Sequence, residues 1–338
     1  MGALIDLSLP LAGHESDWRF SFPAMGTRID VAGRGGNPAA IARDSCALVA
    51  ELESLWSVFR SDSDVSRINA SADWCPVDRR SDALLRDAVE LSEASGGAFS
   101  PLVGALVELR GLKGARSVGA GSARKAPTPS EEELERAVRA CDPSRLRRDP
   151  RGRWRIAGDE GLRPRLDLGG IAKGATADLL RDAAAGAGAE GVLVSVGTSS
   201  IAVHGSRRDG AAWRVGLRDP EGAEDSWGSR VDLARGSLST SGTLVPGAAA
   251  PSARHLLDPR SGRFASSGIH QATVMCASGV LAEALSTALV VGGADCVDEE
   301  AVRRWAREQG IEPGWEFVLM TSEGPVPSGG APWSPRSA

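Results

Sequence analysis

Strand-like segments in this chain come in clusters, and they do not alternate one by one with helices. Apolar residues at helical spacing predict helices over residues 39–59, 81–94, 130–140, 173–187, 280–291 and 297–309. Strands are predicted within 20–31 and at 153–157, 166–168, 191–201, 213–217, 228–233, 237–239, 272–276 and 316–319. Parallel strands need a long crossover connection, and several of these strands follow each other too closely for one. This order predicts an α+β fold with antiparallel or mixed sheets and flanking helices.

The limits of the domain are expected close to the two ends of the chain. We expect residues 1–19 to form an N-terminal extension and residues 20–323 to form a single domain of one or two lobes. A mobile, exposed loop is predicted at 113–126, where Gly, Ser, Arg and Lys dominate. The tail at 324–338 is rich in Pro, Ser and Gly and is predicted to be disordered.

Charge balance and cysteine content argue against several classes of protein. The 39 basic and 44 acidic residues give a net charge of −5, which disfavours binding to a nucleic-acid backbone. The five cysteines are widely spaced and form no C-x-x-C pair, so neither a disulfide framework nor a zinc site is expected. No leader with a basic start and no apolar run of membrane-spanning length is visible. We therefore expect a cytoplasmic protein that does not enter a membrane.

Two glycines join a predicted strand to a predicted helix in the segment 167–178. It is Asp-Leu-Gly-Gly-Ile-Ala-Lys-Gly-Ala-Thr-Ala-Asp. Backbone amides at such a turn can approach a ligand closely, a helix N-terminus favours an anion, and Lys173 adds a positive charge. The spacing matches neither a P-loop nor the G-x-G-x-x-G dinucleotide motif. An ordinary strand-to-helix turn is the alternative interpretation.

A carboxylate and a hydroxyl lie one helical turn apart in the segment 282–289. Glu283 and Thr287 share a helix face, and their oxygens are suited to a hard cation such as Mg²⁺ or Mn²⁺. The alternative is a solvated Glu and a Thr that bonds back to a backbone carbonyl.

Three further segments contain candidate residues. In 255–262, Asp258 begins an Asp-Pro-x-x-Gly turn, and His255 could reach a ligand or could be structural. Met25, followed by a glycine, could pack on a flat ring or belong to the core. A calcium loop in 59–69 is rejected, because Arg67 stands where glycine is needed.

Taken in order, these segments resemble the FAD:protein FMN transferase (flavin transferase, ApbE-like) family, whose members move FMN from FAD onto a protein hydroxyl. The resemblance spans about residues 22–292. Its matching pieces are residues 25–27, 59–69, 95–103, 167–178, 213–220, 239–242, 255–262 and 282–288.

The resemblance implies an α+β fold that binds FAD in a cleft, with Mg²⁺ at the diphosphate. It implies that the metal ligands are Glu283, Thr287 and the backbone carbonyl of Ala172. It implies a FAD pocket formed by Met25, Thr27, Phe99, Ser100, Lys173, Asp178 and His255. His255 or Asp258 would accept the proton of the acceptor hydroxyl. The implied reaction transfers FMN to a Thr or Ser of a partner protein and releases AMP.

The chain departs from the family pattern at three places, which makes it a divergent member. Glu283 stands where the family has Asp, and Ser100 stands where it has the Asp of Phe-Asp-Pro. The run 195–199 is Ser-Val-Gly-Thr-Ser where the family has Asn-x-Gly-Gly-Asp. Three interpretations follow: transfer to a protein, transfer to water or a small molecule, and binding of FAD without catalysis.

Overall fold

A computed structural model describes residues 17–112, 129–159, 161–218, 227–243 and 255–335. The loop predicted at 113–126 and nearly all of the predicted N-terminal extension lie outside these ranges. Across the described ranges, no helix is both long enough and apolar enough to span a bilayer.

Strands and helices follow the chain in this order. The strands are β1 (Trp18–Ala24), β2 (Thr27–Gly35), β3 (Leu146–Arg148), β4 (Trp154–Ile156), β5 (Ala189–Val196), β6 (Ser200–Gly205), β7 (Trp213–Arg218), β8 (Trp227–Leu233), β9 (Gly236–Gly242), β10 (Ile269–Cys276), β11 (Trp315–Thr321), β12 (Gly324–Pro327) and β13 (Trp333–Pro335). The helices are α1 (Pro38–Trp56), α2 (Asp64–Ala70), α3 (Arg79–Ala94), α4 (Gly104–Leu109), α5 (Glu131–Ala140), α6 (Ala172–Gly186), α7 (Gly279–Gly292) and α8 (Glu299–Glu308).

An eight-stranded sheet organises the molecule, in the order β1-β2-β5-β6-β9-β10-β11-β12. Every neighbouring pair in it is antiparallel. A separate three-stranded sheet has the order β13-β8-β7. The prediction of an α+β fold with antiparallel sheets and flanking helices is therefore confirmed.

The central sheet is covered on both faces. In β10, Val274 packs in the core formed with α3 and α7, whereas the next residue, Met275, packs with the β7–β8 side. Successive side chains of a strand point to opposite faces, so β10 is buried on both of them. Helix α7 is buried almost throughout, because it lies between the sheet and the helices α3 and α6.

Three predictions about the strands and the tail are wrong. No strand forms at 166–168, where the neighbouring Arg165 makes only an isolated bridge with Val103. The strand predicted at 191–201 is divided into β5 and β6 by a tight turn, in which Gly197 and Thr198 both have positive φ, of 66° and 62°. The tail predicted to be disordered contains β12, which pairs with β11, and β13, which pairs with β8. Proline is tolerated in β12 because this strand lies at the edge of the sheet. There the missing proline N–H can face away from the neighbouring strand, so no hydrogen bond between strands is lost.

The contact between α3 and α8 contains a buried carboxyl group with a testable pH dependence. Burial raises the pKa of Asp87 from 3.8 to about 6, and the Trp305 indole N–H donates to this carboxyl at 3.1 Å. Because the pKa is higher in the folded state, charging Asp87 opposes folding, and this penalty grows as the pH rises from about 4 to about 6. We expect Asp87→Asn to stabilise the protein at pH 7.5 by on the order of 2 kcal/mol and to have little effect at pH 4. Urea unfolding at both pH values measures this, and Glu299→Gln, on the exposed side of α8, is the control.

Candidate functional site

Helices α6 and α7 cross with their backbones in contact at Gly174 and Gly279. A β-carbon added to Gly174 would overlap the carbonyl oxygen of Gly279, and one added to Gly279 would overlap the carbonyl oxygen of Gly174. The crossing therefore requires two residues without side chains. It brings the glycine turn at 169–170 and the N-terminal half of α7 to the same place.

Glu283 caps the first turn of α6 from a different helix. The N-cap residue Ile171 supplies no side-chain hydrogen bond. Instead, the backbone N–H of Gly174 and the ammonium of Lys173 both donate to the carboxylate of Glu283, which is only 3% exposed. The positive end of the α6 dipole favours this negative charge. This helix end therefore faces the side chain of Glu283, and the predicted contact with an anionic ligand stays a prediction.

The second predicted metal-ligating side chain lies among hydroxyl groups. Thr287 Oγ1 is 3.2 Å from Ser241 Oγ, and Ser241 Oγ is 2.9 Å from Ser286 Oγ. The carbonyl of Ala172, the third predicted ligand, accepts the Thr176 hydroxyl at 2.8 Å, so its oxygen is already engaged within α6.

The chemistry of Glu283 and Thr287 suits a hard divalent cation, because both present oxygen. The Glu283 carboxylate already binds a positive charge, which is the ammonium of Lys173. The site is therefore suited to a cation. Among the described residues there is no cluster of three or more His, Cys, Asp or Glu that could hold a metal. A cation here would therefore take its remaining ligands from a hydroxyl, a carbonyl, water or a bound phosphate.

Met25 connects a hairpin turn to two helices beside this site. It has φ 52° and precedes Gly26 at φ 67°, which forms the tight turn between β1 and β2. Its N–H donates to the Glu53 carboxylate of α1 at 2.5 Å. Its sulfur lies 3.4 Å from the Thr176 hydroxyl of α6. A non-glycine residue in the left-handed region is uncommon, and here contacts on both sides hold it in place.

The altered run at 195–199 lies next to the Met25 turn. A β-carbon on Gly197 would be 2.9 Å from Thr27 Oγ1, and the Gly197 N–H donates to the Arg28 carbonyl at 2.9 Å. Thr198, a β-branched residue with positive φ, occupies the exposed part of this turn. Thr27, which the family resemblance places at FAD, thus lies between the β1–β2 hairpin and the β5–β6 hairpin.

Phe99 packs against the glycine turn, whereas Ser100 holds the turn of its own segment. The Phe99 ring is in contact range of Gly170, where an added β-carbon would be 3.3 Å from the ring. Ser100 is buried, donates its hydroxyl to the Cys141 carbonyl at 2.6 Å and accepts the Leu102 N–H at 3.1 Å. The hydroxyl of Ser100 therefore holds a turn, which differs from the predicted contact with FAD.

Asp178 holds the two crossing helices to the sheet. Its carboxylate accepts from Arg181 at 2.9 Å, from the Ser237 hydroxyl at 2.5 Å and from the Gly279 N–H at 2.6 Å. Burial raises the pKa of this carboxyl, and Arg181 opposes the shift. Both oxygens are used by protein donors, so the structure gives Asp178 a structural role where a ligand contact was predicted.

We expect Asp178→Asn to lower the free energy of unfolding by about 2–3 kcal/mol, because it leaves the Arg181 charge partly buried and leaves one oxygen for the donors from Arg181, Ser237 and Gly279. Asp182→Asn is a matched control, since it removes the other, exposed carboxylate that contacts Arg181 and should cost less than about 1 kcal/mol. Urea denaturation compares the two variants. Equal losses would contradict the structural role of Asp178.

The predicted base candidates His255 and Asp258 differ in their surroundings. Asp258 begins the predicted turn, with the Gly262 N–H donating to its carbonyl at 2.7 Å. Both of its carboxylate oxygens accept from the Arg260 guanidinium, at 2.9 and 3.2 Å. His255 is half-buried and is the first residue of its described range.

The structure thus brings Met25, Lys173 and Glu283 to the N-terminal part of α6, with Thr287 one turn further along α7 than Glu283. Sequence reasoning missed four residues that hold this group together: Glu53, Thr176, Ser241 and Ser286. Thr176, Ser241 and Ser286 lie inside segments that the sequence had already singled out, at 167–178, 239–242 and 282–289. Nothing in the sequence around Glu53 signals its contact with a hairpin turn 28 residues earlier.

Comparison with known proteins identifies the family. The model of the ApbE family matches residues 25–312. An FAD:protein FMN transferase of Treponema pallidum is 30% identical over 262 residues, which cover 73% of this chain and 69% of the relative. One from Vibrio cholerae is 28% identical over 256 residues, covering 73% and 71%. The crystal structure of the ApbE protein of Thermotoga maritima matches with a TM-score of 0.74 at 26% identity, covering 92% of this chain and 97% of that one. The chain therefore belongs to the ApbE family.

Proposed function

We propose that this chain transfers the FMN moiety of FAD to a Thr or Ser hydroxyl of an acceptor protein, that the transfer depends on Mg²⁺, and that it releases AMP. Relatives that share its family are named FAD:protein FMN transferases. The observation that carries the proposal is the contact of Lys173 and Gly174 with Glu283. This contact joins the segments 167–178 and 282–289, which would bind the diphosphate and its metal.

In the proposed reaction, the acceptor hydroxyl oxygen attacks the phosphorus of the FMN half of FAD. A new oxygen–phosphorus bond forms, and the bond from this phosphorus to the bridging oxygen breaks. AMP leaves with the bridging oxygen and its electron pair, and the hydroxyl proton passes to a base. We assign the base to His255 or Asp258, the two candidates of the segment 255–262, of which Asp258 is paired with Arg260.

The other residues bind and orient. Lys173 carries a positive charge at the partly exposed end of α6 and would attract the diphosphate. Met25, fixed in its turn by Glu53, would pack against the ligand near the same helix end. Mg²⁺, when bound at Glu283 and Thr287, would neutralise the diphosphate and stabilise AMP as the leaving group.

The test is to incubate the purified chain with FAD and Mg²⁺, with and without a candidate acceptor protein, and to measure AMP. Our expectation is that AMP forms only with the acceptor and that the acceptor gains the mass of FMN at one Thr or Ser. AMP formed without an acceptor would show that the chain hydrolyses FAD, and this would contradict transfer to a protein. Tight retention of FAD without AMP would indicate a binding protein and contradict the proposal.

A further inference from the structure

We propose that Lys173 is an internal counter-ion that pairs with the carboxylate of Glu283. Its ammonium has to move away before a divalent cation can bind to that carboxylate. The inference rests on the metal site of the proposed function. It adds one step to metal binding at that site: the incoming cation has to displace the side chain of Lys173.

Burial makes a counter-ion necessary at Glu283. The side chain is 4% exposed and lies at the crossing of α6 and α7, where Gly174 and Gly279 bring the two backbones into contact. A buried carboxylate without a positive partner is strongly disfavoured. The Lys173 ammonium provides that partner at Oε1, and the Gly174 N–H provides a hydrogen bond at Oε2.

A divalent cation and the ammonium compete for the same oxygens. Both bind to a carboxylate through its lone pairs, and two positive charges a few ångströms apart repel each other. A cation that binds Glu283 therefore either displaces the ammonium or binds more weakly beside it. The apparent affinity of the site for a metal would accordingly be reduced by the free energy needed to break the Lys173–Glu283 pair.

Lys173 is the partner that can move. Its side chain is 24% exposed, whereas that of Glu283 is 4% exposed. Its ammonium also donates to the carbonyl of Gly169 at 3.2 Å, and Gly169 lies on the exposed side of the glycine turn. A four-carbon stem with a rotatable ammonium can swing toward that side without disturbing either helix.

This arrangement predicts an order of binding. An anionic diphosphate arriving at the exposed glycine turn would attract the ammonium away from Glu283. The carboxylate released in this way would then be available to the divalent cation. Metal binding would follow FAD binding, and the free protein would carry no permanent metal at this position.

Calorimetric titration of Mn²⁺ into the metal-free full chain tests the pair directly. We expect Lys173→Met to bind Mn²⁺ at least tenfold more tightly than the wild type, and Lys173→Arg to bind it like the wild type. Arg43→Met removes the same charge from an exposed position on α1 and should stay within twofold of the wild type. Equal or weaker binding by Lys173→Met, or an equal gain in Arg43→Met, would overturn the inference.

A second measurement uses the wild-type chain and does not depend on how a variant folds. The rate at which an acylating reagent modifies Lys173 is followed by mass spectrometry with and without saturating Mn²⁺, with Lys113 and Lys125 as internal references. A cation that displaces the ammonium should raise the Lys173 rate several-fold relative to the references. An unchanged or lower relative rate would show that the pair stays closed, and the inference would fail.

These results separate the inference from the proposed function. If AMP forms with an acceptor but Lys173→Met gains no Mn²⁺ affinity, the reaction stands and the counter-ion role fails. If the affinity shifts as expected but no AMP forms, the counter-ion role stands and the proposed reaction fails.

Discussion

Glu283→Ala should reduce AMP formation from FAD and Mg²⁺ by about 100-fold or more. The change removes the carboxylate that would bind the cation, and a metal that stabilises a leaving phosphate contributes several kcal/mol to the barrier. It also leaves Lys173 and the Gly174 N–H without the acceptor that they share. The measurement is the initial rate of AMP release at saturating FAD and with the acceptor protein present, with Mg²⁺ varied over a wide range.

Two variants control for the loss of packing. Glu283→Gln keeps the length of the side chain and an acceptor for the Gly174 N–H, so it should fold better than Glu283→Ala while still losing activity. Glu323→Ala removes an exposed carboxylate from the turn between β11 and β12 and should leave the rate unchanged. AMP formation at the wild-type rate in Glu283→Ala would remove this residue from the metal site.

Gly174→Ala is expected to be strongly destabilising, with a loss of about 4 kcal/mol or more in the free energy of unfolding. The added methyl group would overlap the Gly279 carbonyl oxygen, which belongs to the backbone and cannot rotate away. Relief requires the two helices to separate, and that would disrupt the buried face of α7. Urea unfolding followed by circular dichroism gives the value, and failure to accumulate as a soluble protein is the extreme result.

The same helix offers a matched control. Gly186 is the last residue of α6, and a β-carbon added there would have no atom within 4 Å. Gly186→Ala should therefore be neutral or stabilise by up to about 1 kcal/mol, because alanine favours the helix more than glycine does. A comparable loss in both variants would mean that the helix crossing is not the cause.

Much of the architecture could be predicted from spacing alone. The apolar periodicity at 81–94 and 280–291 and the clustering of short strands are local properties, and they predict helices and antiparallel pairing before any contact is known. The turn at 197–199 was missed, because Thr198 is a β-branched residue that rarely adopts positive φ. The final strands were missed because a tail rich in Pro, Ser and Gly pairs only where existing strands offer an edge.

The candidate site could be predicted less completely, because its contacts depend on distant parts of the chain. The family pattern brings Lys173 and Glu283 to the same site, but only the crossing of α6 and α7 shows that they bind each other. The family resemblance implies that Ser100 and Asp178 lie near FAD, and it says nothing of the buried hydrogen bonds that both make to protein groups. The direction in which each side chain points is decided by packing, which spacing does not encode.

The capping of α6 by a residue of α7 also has a consequence for how the chain reaches its native state. The hydrogen bond from Gly174 to Glu283 joins residues 109 positions apart, so the first turn of α6 lacks this acceptor until the later helix has docked. In a nascent chain that ends before α7, the start of α6 should fray and exchange its amide hydrogens rapidly. Synthesis of the last quarter of the chain would thus complete the end of α6 and the Lys173–Glu283 pair in a single late step.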